Sequence, residues 1–128
     1  MVLDTSAILA VLFDEPERRQ LTEAIDASER RLLSATNFVE ASMILESRHG
    51  ADGVRAFDQL LSTADVEVVP VDMAQALAAR EAFRAFGKGR HPAGLNFGDC
   101  FAYALAKVLA EPLLFKGNDF AKTDVPQL

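Results

Sequence analysis

Four short apolar runs, "MVLD", "RRLLSAT", "VEVVPV" and "PLLFKG", recur along the chain with helix-length segments between them. Their centres are continuously apolar rather than alternating with polar residues. A strand of that kind is buried on both faces, which requires helices above and below a parallel sheet. The intervening segments supply those helices. "TSAILAVLFDEP" carries Ile8, Leu9, Val11 and Leu12 at helical spacing and is stopped by Pro16. "PERRQLTEAIDAS" turns Leu21, Ala24 and Ile25 inward, "NFVEASMILESRHG" is closed by Gly50, and "ADGVRAFDQLLSTA" follows as a separate helix. "DMAQALAAREAFRAFG" opens on a capping box of Asp72 and Gln75 and stops at Gly87, and the loop "KGRHPAGL" leads into a last helix. The expected fold is α/β, three layers (α/β/α) around a central, mostly parallel sheet of about four to five strands. Residues 1–128 are expected to form one domain, since no repeat or linker interrupts the pattern.

In an open parallel sheet, ligands bind beyond the carboxyl ends of the strands. Asp4 ends the first strand there, and Glu40 lies in the first turn of the helix after the second. The fourth strand, being parallel, must end at the same edge. The helix feeding it, from Asn96 to roughly Ala110, therefore runs the other way and begins there, placing Asp99 on the rim. The loop from Gly87 to Leu95 is expected to carry the chain back up, since at ~3.3 Å per extended residue it spans a helix of about 21 Å. Asp119, just past the fourth strand, completes the set.

"NFVE" and "NFGD" repeat one pattern, with each asparagine placed to be the N-cap and each acid to be the N3 residue. Capping and the helix dipole alone favour such acids. Jointly they say more. Two carboxylates about 4 Å apart repel by about 4 kcal/mol at an effective dielectric near 20. A water-depleted rim that gathers several must bind a cation or protonate some of them. No lysine or arginine lies inside these motifs, Lys116 being the nearest. Oxygen-only ligands suit Mg²⁺ or Mn²⁺ better than zinc, and such an ion activates water against a phosphodiester.

The bulk composition narrows the partners. The net charge of −6 argues against a broad nucleic-acid face, so any such contact needs a local basic patch or cations at an acidic site. It also suits a basic partner protein. The single cysteine, Cys100, sits in an apolar run and is read as a small core residue. No apolar run reaches the ~20 residues of a membrane span, and the first residues lack a signal-peptide pattern, so a cytoplasmic protein with no membrane association is expected.

"MVLDTSAILAVLFDEPE", "TNFVEASMILESRHG", "GKGRHPAGLNFGDCFAYALAK" and "PLLFKGNDF", in order from Met1 to about Asp124, resemble the VapC toxins of the PIN-domain ribonucleases. The resemblance implies a PIN domain over residues 1–128 and RNA hydrolysis that depends on Mg²⁺, with Mn²⁺ as a substitute. It also implies a cognate VapB-type antitoxin, a homodimer and a toxin–antitoxin hetero-oligomer. Carried over, Asp4 matches the first metal-binding acid, Asp99 the other principal metal ligand, and Glu40 the second-motif acid, bound to metal directly or through water. Ser6 matches the hydroxyl residue that supports the first acid. The last motif departs from the pattern, because Gly117 stands where many relatives carry an acid. Its role is expected at Asp119, with Asn118 in support and Asp124 as an outlying candidate.

"REAFRAFGKGRH" sets Arg80, Arg84, Lys88, Arg90 and His91 against one acid, Glu81. Lys88 and Arg90 are expected to hold RNA phosphates, and His91 and His49 to have packing or helix-end roles. Phe13 is a candidate floor for an antitoxin segment whose arginine pairs with the acids. Two other readings remain at this point. A phospho-acceptor receiver domain shares the acidic rim, but strand one ends in a single acid. A catalytically idle PIN module that only binds RNA or protein is opposed by the intact acids.

Overall fold

The computed structural model describes residues 1–128. In chain order it comprises β1 (Val2–Leu3), α1 (Thr5–Leu12), α2 (Arg18–Ala27), β2 (Arg31–Ser34), α3 (Ala35–Thr63), β3 (Val66–Val69), α4 (Met73–Phe86), α5 (Phe97–Leu109) and β4 (Leu113–Leu114), then a 3-10 turn at Phe120–Lys122. The four strands lie in the order β3-β2-β1-β4 and every pairing is parallel. Val2 pairs with Leu32 on one side and Leu113 on the other, and Leu3 pairs with Leu114.

That register sorts the core into two layers, because neighbouring residues of a strand point to opposite faces. Val2, Leu32 and Leu113 turn to one side and pack with Cys100, Ala102, Leu105 and Ala106 of α5 and Ala79 and Ala82 of α4. Leu3, Leu33 and Leu114 turn to the other and meet Ile8 of α1, Leu21 and Ile25 of α2, and Leu45 and Phe57 of α3. The three-layer α/β/α expectation holds. β3 departs from the expectation of strands buried on both faces: it is an edge strand with Glu67 and Val68 exposed. No helix is long and apolar enough to cross a membrane.

Gly50 breaks α3 into residues 35–49 and 51–63, as its place in the sequence predicts. Its φ of 60° and ψ of −150° are non-helical, in a region that only glycine enters cheaply. Three local expectations need correction. The N-cap of α3 is Ser34, whose hydroxyl accepts from the Thr36 N–H, not Asn37. The helix therefore starts earlier, and Glu40 lies beyond its first turn. The Asp72–Gln75 box is half formed, because Asp72 accepts from the Gln75 N–H while the Gln75 amide donates to the Pro70 carbonyl instead. The loop after α4 does not carry the chain across the layer. Gly87 pairs with Leu95, the Lys88 N–H donates to Leu95 O, and the Leu95 N–H donates to Phe86 O. α4 thus already ends beside the start of α5.

Candidate metal centre

α1, α3 and α5 deliver their acids to one rim at the carboxyl edge of the sheet. Asp4 ends β1 and is itself the N-cap of α1, with Oδ2 accepting the Ser6 N–H at 3.0 Å. The carboxylate is buried, 3% exposed, and its other oxygen, Oδ1, has no hydrogen-bond partner. A buried, unpartnered carboxylate oxygen is costly unless a proton or a cation meets it. Burial pushes the Asp4 carboxyl above the usual range, against the opposing pull of its hydrogen bonds to Ser6.

Asp99 is presented by the start of α5 as the sequence predicts. Asn96 Oδ1 accepts the Asp99 N–H at 2.9 Å, and Asp99 Oδ2 accepts the Asn96 N–H at 3.0 Å, a complete capping box. Burial raises the Asp99 carboxyl to about 7, the Asn96 hydrogen bond opposes this, and the charges of Asp4, Glu40 and Asp119 add to the rise. These four carboxylates therefore share one electrostatic neighbourhood.

Glu40 is held by a network that sequence reasoning missed. Thr5 Oγ1 donates to Glu40 Oε1 at 2.6 Å. Asn37, fully buried, directs its amide N–H groups at Thr5 Oγ1 (3.3 Å), Glu40 Oε1 (3.4 Å) and the Gly98 carbonyl (3.0 Å). One side chain thus ties α1, α3 and α5 together behind the acid. Gly98 is part of the same device, since a β-carbon there would lie 2.5 Å from Glu40 Cδ and Oε1. The signal for Thr5 and Asn37 was their place beside Asp4 and Glu40. For Gly98 no local signal exists, because its contact is made across the fold.

The remaining predicted residues fall as follows. Ser6 Oγ accepts the Lys116 N–H at 3.0 Å, joining the start of α1 to the end of β4 beneath Asp4. Asp119 is exposed at the start of the 3-10 turn, with no capping hydrogen bond of its own, and Asn118 is exposed beside it. Asp124 is turned elsewhere, accepting from the Tyr103 hydroxyl and from Lys107. Lys88 and Arg90 are exposed on the closed loop, with the Arg90 guanidinium 5.9 Å from the centre of the Phe83 ring. His91 packs edge-on against Phe86 and accepts the Ala93 N–H. Phe13 is half-buried against His49 with Arg48 over its ring, so it is already covered on that side. Lys116 pairs with Glu15 and Glu17 rather than with the rim acids.

No three of the acidic, histidine or cysteine side chains close around a single point as in a complete metal cage. Asp99 Oδ2 is engaged with Asn96 and Glu40 Oε1 with Thr5. Such an open arrangement suits a divalent cation that keeps several waters and takes one or two carboxylates together with phosphate oxygens. The unpartnered Asp4 Oδ1 lies in the same electrostatic neighbourhood as the Asp99 carboxyl, which burial above all raises to about 7.

The PIN domain family profile matches residues 1–126. "Ribonuclease VapC30" of Mycobacterium tuberculosis is 50% identical over 125 residues, covering 98% of this chain and 95% of that protein. "Ribonuclease VapC" of Mycolicibacterium smegmatis is 52% identical over 125 residues, covering 98% and 97%. Among solved structures, the sarcin–ricin-loop-cleaving toxin VapC20 of Mycobacterium tuberculosis superposes with a TM-score of 0.79 at 15% identity, over 99% of this chain and 97% of that one. A toxin–antitoxin complex from Klebsiella pneumoniae gives 0.70 at 20% identity, over 96% and 92%. The fold, the acidic rim and these matches agree, and the chain belongs to the PIN-domain family.

Proposed function

We propose that this protein is the toxin of a type II toxin–antitoxin pair: a single PIN domain, acting in the cytoplasm as a divalent-metal-dependent endoribonuclease held in check by a VapB-type antitoxin. The observation that carries the reading is the buried, unpartnered Asp4 Oδ1 beside an Asp99 carboxyl raised to about 7 by burial and by its acidic neighbours. The sequence relatives support the substrate class, since they are named ribonucleases.

Asp4 and Asp99 would hold Mg²⁺ or Mn²⁺, with Glu40 ligating directly or through water, and the ion would supply an activated water and a countercharge for the phosphodiester. The chain's own groups do the rest. Ser6 and the Asn96 capping box fix the orientations of Asp4 and Asp99. Thr5 and Asn37 fix Glu40. Asp119, exposed and free of a capping bond, can take the proton of the attacking water, with Asn118 beside it to orient that water. Lys88 and Arg90 hold flanking phosphates, giving a salt-dependent affinity for RNA. A basic antitoxin segment would place an arginine among the same acids, and the toxin would pair as a homodimer within the complex.

The test maps RNA cleavage ends after induction in cells, for the wild type and for Asp99→Asn and Asp4→Asn. Cleavage that requires Mg²⁺ or Mn²⁺ and disappears in both variants supports the assignment. An identical pattern in wild type and variants refutes it.

A further inference from the structure

Between α4 and α5 lies a cleft of about 380 Å³ lined by Phe83, Phe97, Phe101, Arg80 and small side chains. Phe97 is 69% exposed and Phe83 43% exposed, although both are phenylalanines of a well-packed domain. The rings of Phe97 and Phe101 meet edge to face at 4.9 Å, leaving the cleft with firm aromatic walls. Phe97 is the first residue of α5, ~3 Å of helix rise before Asp99, and it also lines a surface depression together with Glu40 of the rim.

We propose that this aromatic cleft receives an unstacked nucleobase adjacent to the phosphodiester held at the acid rim. The inference rests on the ribonuclease reading above and adds to it a base-binding subsite. Aromatic faces bind bases of any identity by stacking, each worth ~1–3 kcal/mol. Charge decides the occupant. Arg80, Lys88 and Arg90 border the cleft or its loop and have no ion-pair partner, in a chain whose net charge is −6. The Arg90 guanidinium already lies over the Phe83 ring, 5.9 Å from its centre, within reach of a cation–π contact. A second copy docked here about a two-fold axis would add its own unpaired Arg80, Lys88 and Arg90 to the same interface. A basic protein segment would be repelled by them. A polyanion with flat apolar bases satisfies both the walls and the charge.

The chain contains no tryptophan, so Phe97→Trp creates a single fluorescent reporter at the cleft. The full-length Phe97→Trp, Asp99→Asn protein is titrated with short single-stranded RNA of mixed sequence and with the same backbone made abasic. In parallel, Phe97→Ala is assayed for cleavage with the acids intact. Expected results are quenched emission with the base-bearing RNA alone, about 5- to 150-fold weaker binding of the abasic strand, and for Phe97→Ala a KM raised by a similar factor with kcat little changed. Equal affinity for both strands, an unchanged KM, or emission that depends on protein concentration without RNA overturns the proposal, the last by showing that a second copy covers the cleft. If the wild type neither cuts nor binds RNA, the ribonuclease reading itself fails and takes the subsite with it. Cleavage by the wild type with no effect of Phe97→Ala defeats the subsite alone.

Discussion

Gly98→Ala isolates the contact that joins α5 to Glu40. The new β-carbon would stand 2.5 Å from Glu40 Cδ and Oε1. Glu40 Oε2 would be closer still, and an ordinary carbon–oxygen contact needs ~3.3 Å, so the carboxylate must retreat by more than about 0.8 Å. The Thr5 hydroxyl now lies 2.6 Å from Oε1. That retreat takes it past the ~3.0 Å range of a good O–H···O bond. Losing one hydrogen bond to a charged group costs about 1.5–3 kcal/mol. The atoms that clash are the far end of a flexible side chain, so α5 itself has no reason to move.

The same substitution in a Glu40→Ala background meets no carboxylate, and there alanine should gain about 0.5–1 kcal/mol from helix propensity. The sign of the effect reverses, and because the propensity gain is common to both backgrounds the coupling between the two sites comes to about 1.5–3 kcal/mol. Urea unfolding of the four proteins in EDTA measures it through the midpoints at constant m. If Gly98→Ala costs the same in both backgrounds, the close approach to Glu40 is not what Gly98 is for.

Three further outcomes follow from the same geometry. Asp99 has a folded pKa of about 7, above its unfolded value, so the folded state holds a proton that the unfolded state has released between about pH 4 and 7. Metal-free stability should therefore fall as pH rises through that window and level off above it, and Asp99→Asn should flatten the slope; equal slopes in urea melts at pH 5, 6, 7 and 8 would refute the shift. Asn37→Ala leaves the Gly98 carbonyl and the Glu40 cluster without their shared donor, for a loss of about 2–4 kcal/mol by urea unfolding, and a loss below ~1 kcal/mol would show the tie to be unimportant. Gly50→Ala forces a side chain onto a φ of 60° and ψ of −150°, costing about 1–3 kcal/mol while Mn²⁺ binding measured by calorimetry stays unchanged, because the kink lies away from the rim.

"NFGD" and "NFVE" show how far local sequence carries a site and where it stops. The first folds as read, because the closed loop delivers Asn96 extended to the helix start, where its side chain is free to cap. In the second, β2 runs directly into α3 and Ser34 takes the cap. The asparagine is thereby turned inward by the register of a helix that began earlier, and becomes the donor that holds Glu40. The layers were legible because adjacent residues of β1 must face opposite cores. The path of the chain after α4 was not, because the length of a loop limits its span without requiring it to stretch. The rim was legible as a set of acids, since strand ends and helix starts are local features. Its closure depended on contacts across the fold: a hydroxyl from α1, an amide from α3 and the missing side chain of Gly98 in α5. Sequence patterns can therefore nominate metal ligands, but the groups that hold those ligands still are found only when the helices are seen against one another. For the same reason, variants of Thr5, Asn37 and Gly98 test the proposed centre without changing any of the acids expected to hold the metal.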